Sequence, residues 1–340
     1  MESIAIWNNK GGTGKTTLAF QIVCAFAQKN PEKKILVIDV CPQANLSELL
    51  LGGMHQKGSD NLLKIQGQVP RATIGGYFQM RLPSPYSPPD FAPTDFITVP
   101  SQYNAFIPVN IDLLCGDPLL ELQSNAISTL ANAQIPIIDT WVAIISWLID
   151  FISKLKEKYS LILIDANPSF SIYTQIALAA AEKIMLPVMA DDSSRRAIQN
   201  AFSLIYGIKL PSEIYTRYAF AEKMKGGSKP LPKIHMIIKN RITQYMGPAS
   251  AYATVFSEID RELEKLLTAY PEIFTFGSIN DGLVEVRDFQ TTGVVSSARG
   301  CPFYRLPSGK LDLMGQRVQV KEEYRINCID NIDNLVSKSL

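Results

Sequence analysis

Between residues 3 and 20 the chain passes from an apolar run, SIAIW, through NNKGGTGK and straight into TTLAF. Glycines at 11, 12 and 14 let the backbone turn tightly and approach another group closely. Downstream, KTTLAFQIVCAFAQK has the length and composition of a helix that opens near Lys15. A strand that feeds a helix through a short loop is the first half of a crossover unit, whose next strand lies parallel to the first. This one stretch therefore points to an α/β sheet.

The rest of the chain keeps the alternation. KILVID (34 to 39) ends at Asp39 and LILID (161 to 165) ends at Asp165. Each is a short apolar run bounded by turn signals, the pattern of a strand buried on both faces. KIMLPV (183 to 188) and KIHMIIKN (233 to 240) are further strand candidates. Helical patterns separate them in WVAIISWLIDFISKLKEK and RRAIQNAFSLIYGI. The expected fold is α/β, a mainly parallel twisted sheet with helices on both faces. Ligands of such sheets bind at the C-terminal ends of strands, where the loop, Asp39 and Asp165 all fall.

With 46% hydrophobic and 19% charged residues, the chain can bury a sizeable core, and one domain over 1–340 is expected. Residues 52 to 110 carry many Gly and Pro, including RLPSPYSPPDFAP, and read as an irregular surface insertion. A second Gly/Pro/Lys loop is expected over 222 to 233. A last helix over about 321 to 340 places Ile326, Ile329, Ile332 and Leu335 on one stripe that packs on the core.

Several classes are excluded. Five scattered cysteines, no C-x-x-C pair and two histidines argue against a disulfide framework and a zinc site, and fit a reducing cytosol. The most membrane-like stretch, 135 to 152, is interrupted by Asp139 and Asp150 and reads as a buried helix. From residue 321 onward there are three basic and four acidic side chains, unlike the basic face of a membrane-surface helix. With no export signal visible, a cytoplasmic protein without membrane attachment is expected. Net charge is +1, so nucleic-acid binding would need a local patch or an oligomer.

The loop's chemistry is that of a phosphate cradle. Backbone N–H groups around Gly11, Gly12, Thr13 and Gly14 converge on an anion, and the helix adds its positive end. Lys15 would neutralise β- and γ-phosphates, the Thr16 hydroxyl would ligate Mg²⁺, and Thr17 completes the cradle. Asp165, closing an apolar strand, is placed to orient Mg²⁺ and water. The usual spelling, G-x-x-x-x-G-K-[ST], would put Gly at position 9, but Asn9 stands there and Lys10 has no assigned role.

KGGTGKTT (10 to 17) resembles the deviant Walker A motif of the ParA/Soj/MinD ATPases, in which the first lysine is the family's signature. The likeness runs over most of the chain. VIDVCPQANLSELL (37 to 50) is similar to the family's switch I, and LILIDANPSF (161 to 170) to its Walker B and switch II. NIDLLCGDPLLEL (110 to 122) and AAAEKIMLPVMADDSSRRAI (179 to 198) also resemble family segments. IIKNR (237 to 241) sits where these proteins use a strand-end Asn near the adenine, which implies Asn240 and Arg241 as nucleotide contacts. The Pro-Gln of switch I favours the ParA/Soj partition branch over MinD.

That resemblance implies a P-loop NTPase domain using ATP and Mg²⁺, with Thr16, Asp39 and Asp165 at the metal. It implies a catalytic set of Lys10, Lys15, Asp39 and Asp165, and an ATP-dependent sandwich homodimer. In the dimer Lys10 would reach the partner's phosphates and act like an arginine finger. The family further implies non-specific DNA binding, a ParB-like or other adaptor protein, and positioning of a plasmid, chromosome or other cargo. A reductase of the nitrogenase-iron-protein type shares the deviant loop but needs cluster-holding cysteines, and DANPSF has none.

Two departures stand out. Switch I reads Asp39-Val40-Cys41-Pro42-Gln43, with Cys41 where the family has the aspartate linked to positioning the attacking water. A thiol, with a free pKa of roughly 8.5, cannot replace a carboxylate there. Switch II has Asn167-Pro168 for the usual proline pair. Slow, partner-stimulated turnover, or a nucleotide-gated switch with little hydrolysis, is expected. The candidate DNA surface is Lys209, Arg217, Lys223, Lys225, Lys229 and Lys233, with Tyr215 and Tyr218 interleaved.

Overall fold

A computed structural model describes the chain except residues 156, 190, 211, 217, 243–250 and 314, and except the side chains of 192–194 and 251–253. Seven strands form one sheet. They are β1 (Glu2–Ile6), β2 (Ile35–Val40), β3 (Ile111–Leu114), β4 (Leu161–Ala166), β5 (Lys183–Val188), β6 (Lys233–Ile242) and β7 (Leu283–Arg287). Their order is β3-β2-β4-β1-β5-β6-β7, and every pairing is parallel. All three strands that the glycine loop, Asp39 and Asp165 terminate are neighbours in register: Ile6 pairs with Asp165, and Asp165 with Asp39.

Side chains alternate between two cores, as the pleat requires. Ala5, Ile38, Ile164 and Ile184 face one layer with the helices Ile172–Ala179, Asp192–Tyr206 and Ala251–Ala269. Ile4, Val37, Leu163 and Met185 face the other, with the helices Lys15–Lys29 and Glu322–Ser339. Each fully buried Ile or Leu contributes about 1.5–3 kcal/mol relative to exposure. These two layers hold the strand ends rigidly side by side. An antiparallel hairpin, β8 (Gly309–Leu313) with β9 (Gln316–Val320), lies apart from the sheet.

Four expectations need correction. The stretch from 52 to 110 is not an irregular surface insertion: it carries helices Gly58–Gln66 and Ile74–Arg81, and Tyr77 and Phe78 are buried in the core. The 135 to 152 stretch is two helices, Thr140–Ile145 and Trp147–Ser153; the first begins where Asp139 accepts from the Val142 N–H at 3.0 Å. Among the described residues no helix is long and apolar enough to cross a membrane. The 222 to 233 segment begins inside a helix, Phe220–Gly226. Finally, the last helix buries Cys328, Ile332, Leu335 and Val336, while Ile326 is 44% exposed.

Candidate functional site

The glycine loop leaves β1 and returns as the helix Lys15–Lys29, whose first bond runs from the Leu18 N–H to the Gly14 carbonyl at 2.9 Å. Gly12 (φ 75°) and Gly14 (φ 87°) are left-handed. A side chain at Gly14 would meet the Asn240 amide nitrogen at 2.2 Å, whereas Gly11 and Gly12 open on empty space. Asn240, buried at the end of β6, donates to the Thr13 carbonyl at 2.9 Å and so braces the loop from behind. Next to it, Arg241 (φ 60°) has its N–H on the Asn240 side-chain oxygen at 2.9 Å. Asn8 ties the loop to β5, donating to the Pro187 carbonyl at 2.7 Å and accepting from the Lys10 N–H at 2.9 Å.

Lys15 is buried, and its ammonium donates to the Lys10 carbonyl at 2.9 Å. Burial lowers its pKa, while Asp165 and then Cys41 act in the opposite direction. Beside it the Thr16 hydroxyl donates to Asp165 at 2.9 Å. The Asp165 carboxyl is held above the ordinary carboxylate range, chiefly by burial and then by Asp39. Asp39 is raised as well, again chiefly by burial. Its oxygens are spent locally: one accepts from Ser47 N–H (2.9 Å) and Oγ (2.8 Å), the other from Cys41 N–H (3.1 Å). Thr16, Asp39 and Asp165, the three residues expected at the metal, thus lie together at the ends of neighbouring strands and the first turn of the helix, with Asp39 also shaping the β2 turn. The Lys10 ammonium forms an ion pair with Asp191 of the same chain.

These groups suit a magnesium nucleotide. Thr16 and Asp165 supply the hard oxygens that Mg²⁺ takes alongside phosphates and water. The cradle faces open space at Gly11 and Gly12, and the buried oxygens Asn9 Oδ1 and Thr13 Oγ1 have no hydrogen-bond partner among the described residues. A cavity of about 590 Å³ adjoins the loop, lined by Gly14, Thr17, Asn240, Arg241, Phe289 and Gln290 among others. That volume is ordinary for a nucleoside-sized ligand. The wall at 288 to 298 escaped the sequence reading; its signal was the β-branched run LVEV before RDFQ, another strand ending in polar residues.

Cys41 donates its S–H to the Asn167 side-chain oxygen at 3.6 Å. Burial, then Asp39, push the thiol up to about 12, so it is neutral near pH 7. Of the candidate DNA-binding residues, Lys209 pairs with Glu262 and Lys223 lies over the Trp141 ring at 5.3 Å. Lys225 and Lys233 are exposed, Lys229 is half-buried, and Arg217 lies outside the described residues. Lys233 opens β6 at the sheet end opposite the glycine loop.

A parallel sheet with a glycine-rich cradle at its central strand and an aspartate closing the neighbouring one defines a P-loop nucleotide-binding protein. A family model described as an AAA domain matches residues 1–212, and the chain belongs to that family, within the ParA/Soj group of P-loop ATPases. It is 28% identical over 188 residues to the chromosome partitioning protein ParA of Myxococcus xanthus, covering 55% of this chain and 52% of the relative. To the chromosome-partitioning ATPase Soj of Thermus thermophilus it is also 28% identical over 188 residues, 55% of each chain. The chain thus spans about half the length of the relatives it matches. Its fold resembles an ATP complex of a Cyanothece McdA variant (TM-score 0.62, 13% identity, 99% of this chain and 96% of that one). It also resembles pNOB8 ParA (TM-score 0.55, 15% identity, 99% and 96%).

Proposed function

We propose that the chain binds ATP with Mg²⁺, hydrolyses it slowly, and couples the bound nucleotide to homodimerisation, non-specific DNA binding and a ParB-like or other adaptor protein. In the cytoplasm, and on the nucleoid when DNA-bound, it would position a plasmid, chromosome or other cargo. One observation carries the reading: behind an open glycine cradle, Thr16 donates to Asp165 at 2.9 Å with the buried Lys15 ammonium beside them. Relatives named for chromosome partitioning support the cargo assignment.

In this reading the loop N–H groups bind the phosphates and Lys15 leaves the Lys10 carbonyl for the β- and γ-oxygens. Mg²⁺ held by Thr16 and Asp165 would neutralise charge on the leaving ADP. The base and ribose take the cavity between the ends of β6 and β7. Lys10, held by Asp191 in the single chain, exchanges that carboxylate for the phosphates of a second subunit.

Cys41 favours a second reading, a nucleotide-gated switch with little hydrolysis, because its neutral thiol is a poor water-positioning group. Sizing the protein with ADP and with a slowly hydrolysed ATP analogue, with and without DNA, tests the first reading. A dimer only with the analogue, retained on DNA at low salt and lost at high salt, is expected. A monomer under every condition overturns it. Steady-state turnover with and without DNA and a partner protein separates the two: stimulated hydrolysis supports the first reading and turnover that stays negligible supports the second. Cys41→Asp should hydrolyse ATP faster than wild type. Charge reversal at Lys223 and Lys225 should release DNA while ATP binding persists.

A further inference from the structure

The two positions where the site departs from its family pattern touch each other. Asn167 Oδ1 accepts the Cys41 S–H at 3.6 Å, and both residues follow strand-end aspartates that are paired in register. Thr16, in the first turn of the helix that follows the cradle, donates to Asp165 at 2.9 Å, and Asp165 pairs in register with Asp39. The Cys41–Asn167 contact, two residues beyond each aspartate, therefore lies beside the cradle.

A chain of donors fixes which way the Asn167 amide points. Glu121 can only accept, so the Tyr173 hydroxyl spends its proton on Glu121 Oε2 at 2.9 Å. Its oxygen then accepts from Asn167 Nδ2, also at 2.9 Å. The second amide hydrogen goes to Ser169 Oγ at 2.9 Å. Both N–H groups are consumed, so the amide oxygen turns toward Cys41. There it meets only the weak thiol donor and keeps a lone pair for another hydrogen bond. The Asn167 backbone carbonyl is fixed too, accepting from the Trp7 indole at 2.9 Å.

Hydrolysis of a phosphoanhydride needs an acceptor that orients the attacking water in line, and a side-chain amide serves in some GTPases. We infer that the Asn167 amide oxygen, locked by Tyr173 and Glu121, orients the attacking water in place of a switch I carboxylate. The water oxygen bonds to the γ-phosphorus as the bond to the β,γ-bridging oxygen breaks. That bond's electron pair leaves with ADP, and the water proton passes through phosphate to solvent. This inference rests on the ATPase reading above and names the group that sets its rate.

The test compares wild type, Asn167→Ala, Asn167→Asp and Tyr173→Phe, measuring kcat, KM and the affinity for a fluorescent ATP analogue with Mg²⁺. Asn167→Ala should lose at least tenfold in kcat, while analogue affinity and melting temperature stay close to wild type. Asn167→Asp, which keeps an acceptor oxygen, should retain kcat within about threefold of wild type, well short of the roughly hundredfold or more that a positioned proton-accepting group contributes. Tyr173→Phe should fall between them, because the amide is then free to flip. Unchanged kcat in Asn167→Ala, or a loss confined to KM and analogue affinity, overturns the inference and leaves ATP binding standing. Absence of analogue binding in the wild type overturns the ATPase reading itself.

Discussion

Asp39 and Asp165 stand side by side at the ends of β2 and β4, paired in register and both almost wholly buried. Burial, and for Asp165 the neighbouring Asp39, hold these carboxyls protonated to higher pH than in the unfolded chain. A raised carboxyl pKa means the folded state binds more protons, so this stabilisation is complete below about pH 4 and is lost as pH rises. The loss is finished only once pH passes about 7, the value for Asp165. Asp165→Asn removes that penalty. In the absence of Mg²⁺ and nucleotide, the variant should melt at least about 2 °C above wild type at pH 8, with the gap narrowing at pH 5. Thermal melts in EDTA at the two pH values check this; parallel curves would show that the two carboxylates do not share a strained site.

Gly14 and Asn240 make a matched pair. A β-carbon at Gly14 would lie 2.2 Å from the Asn240 amide, and its φ of 87° is hostile to any L-side chain. Gly14→Ala should therefore destabilise the fold by about 2 kcal/mol or more and weaken nucleotide binding. Asn240→Ala removes the clash but not the strain. The double variant should consequently be less destabilised than the sum of the two single changes, measured by urea unfolding. Additive losses would mean that the amide does not brace the loop.

What the sequence disclosed and what it hid have physical causes. Strands buried on both faces, such as ILVIDV and LILIDA, show as unbroken apolar runs, so the central sheet and its polar strand ends were legible. β7, at the sheet's edge, alternates buried and exposed residues over five positions and was missed. With it went the pocket wall at 288 to 298. Between 52 and 110 the glycines suggested loop, yet Gly58 and Gly76 sit in helices where a β-carbon would meet backbone oxygens at 2.3 and 2.0 Å. There glycine serves close packing, which no period in the sequence reports. Equally hidden was the Cys41–Asn167 contact, because the two lie 126 residues apart.

Lys10 is paired with Asp191 within its own chain, and its side chain is 23% exposed. A pair this accessible contributes little to stability, about 1 kcal/mol or less. Lys10→Ala should therefore leave the melting temperature within about 2 °C of wild type. Affinity of the single chain for the ATP analogue should also stay within about threefold, half a kcal/mol or so. The analogue-dependent dimer, in contrast, should disappear in sizing experiments. Persistence of that dimer would assign Lys10 to the Asp191 contact alone.

Arg81 is 1% exposed, and its guanidinium donates to Asp150 at 2.7 Å and to the Tyr77 hydroxyl at 3.2 Å. The group also lies 5.3 Å from the Trp147 ring centre, and its Nε has no hydrogen-bond partner among the described residues. Such a buried cation depends on its carboxylate, since removing one partner leaves a desolvated charge. Asp150→Ala should cost about 2 kcal/mol or more, toward the low end for buried pairs because Asp150 itself is 30% exposed. Exchanging both partners removes the charge along with its counter-ion. Arg81→Met combined with Asp150→Ala should then recover at least half of the loss in urea unfolding, because methionine refills the space beside Trp147. If the double variant is no more stable than Asp150→Ala alone, Arg81 holds the Ile74–Arg81 helix through its hydrogen bond to Tyr77 and its stacking on Trp147, and not through its charge.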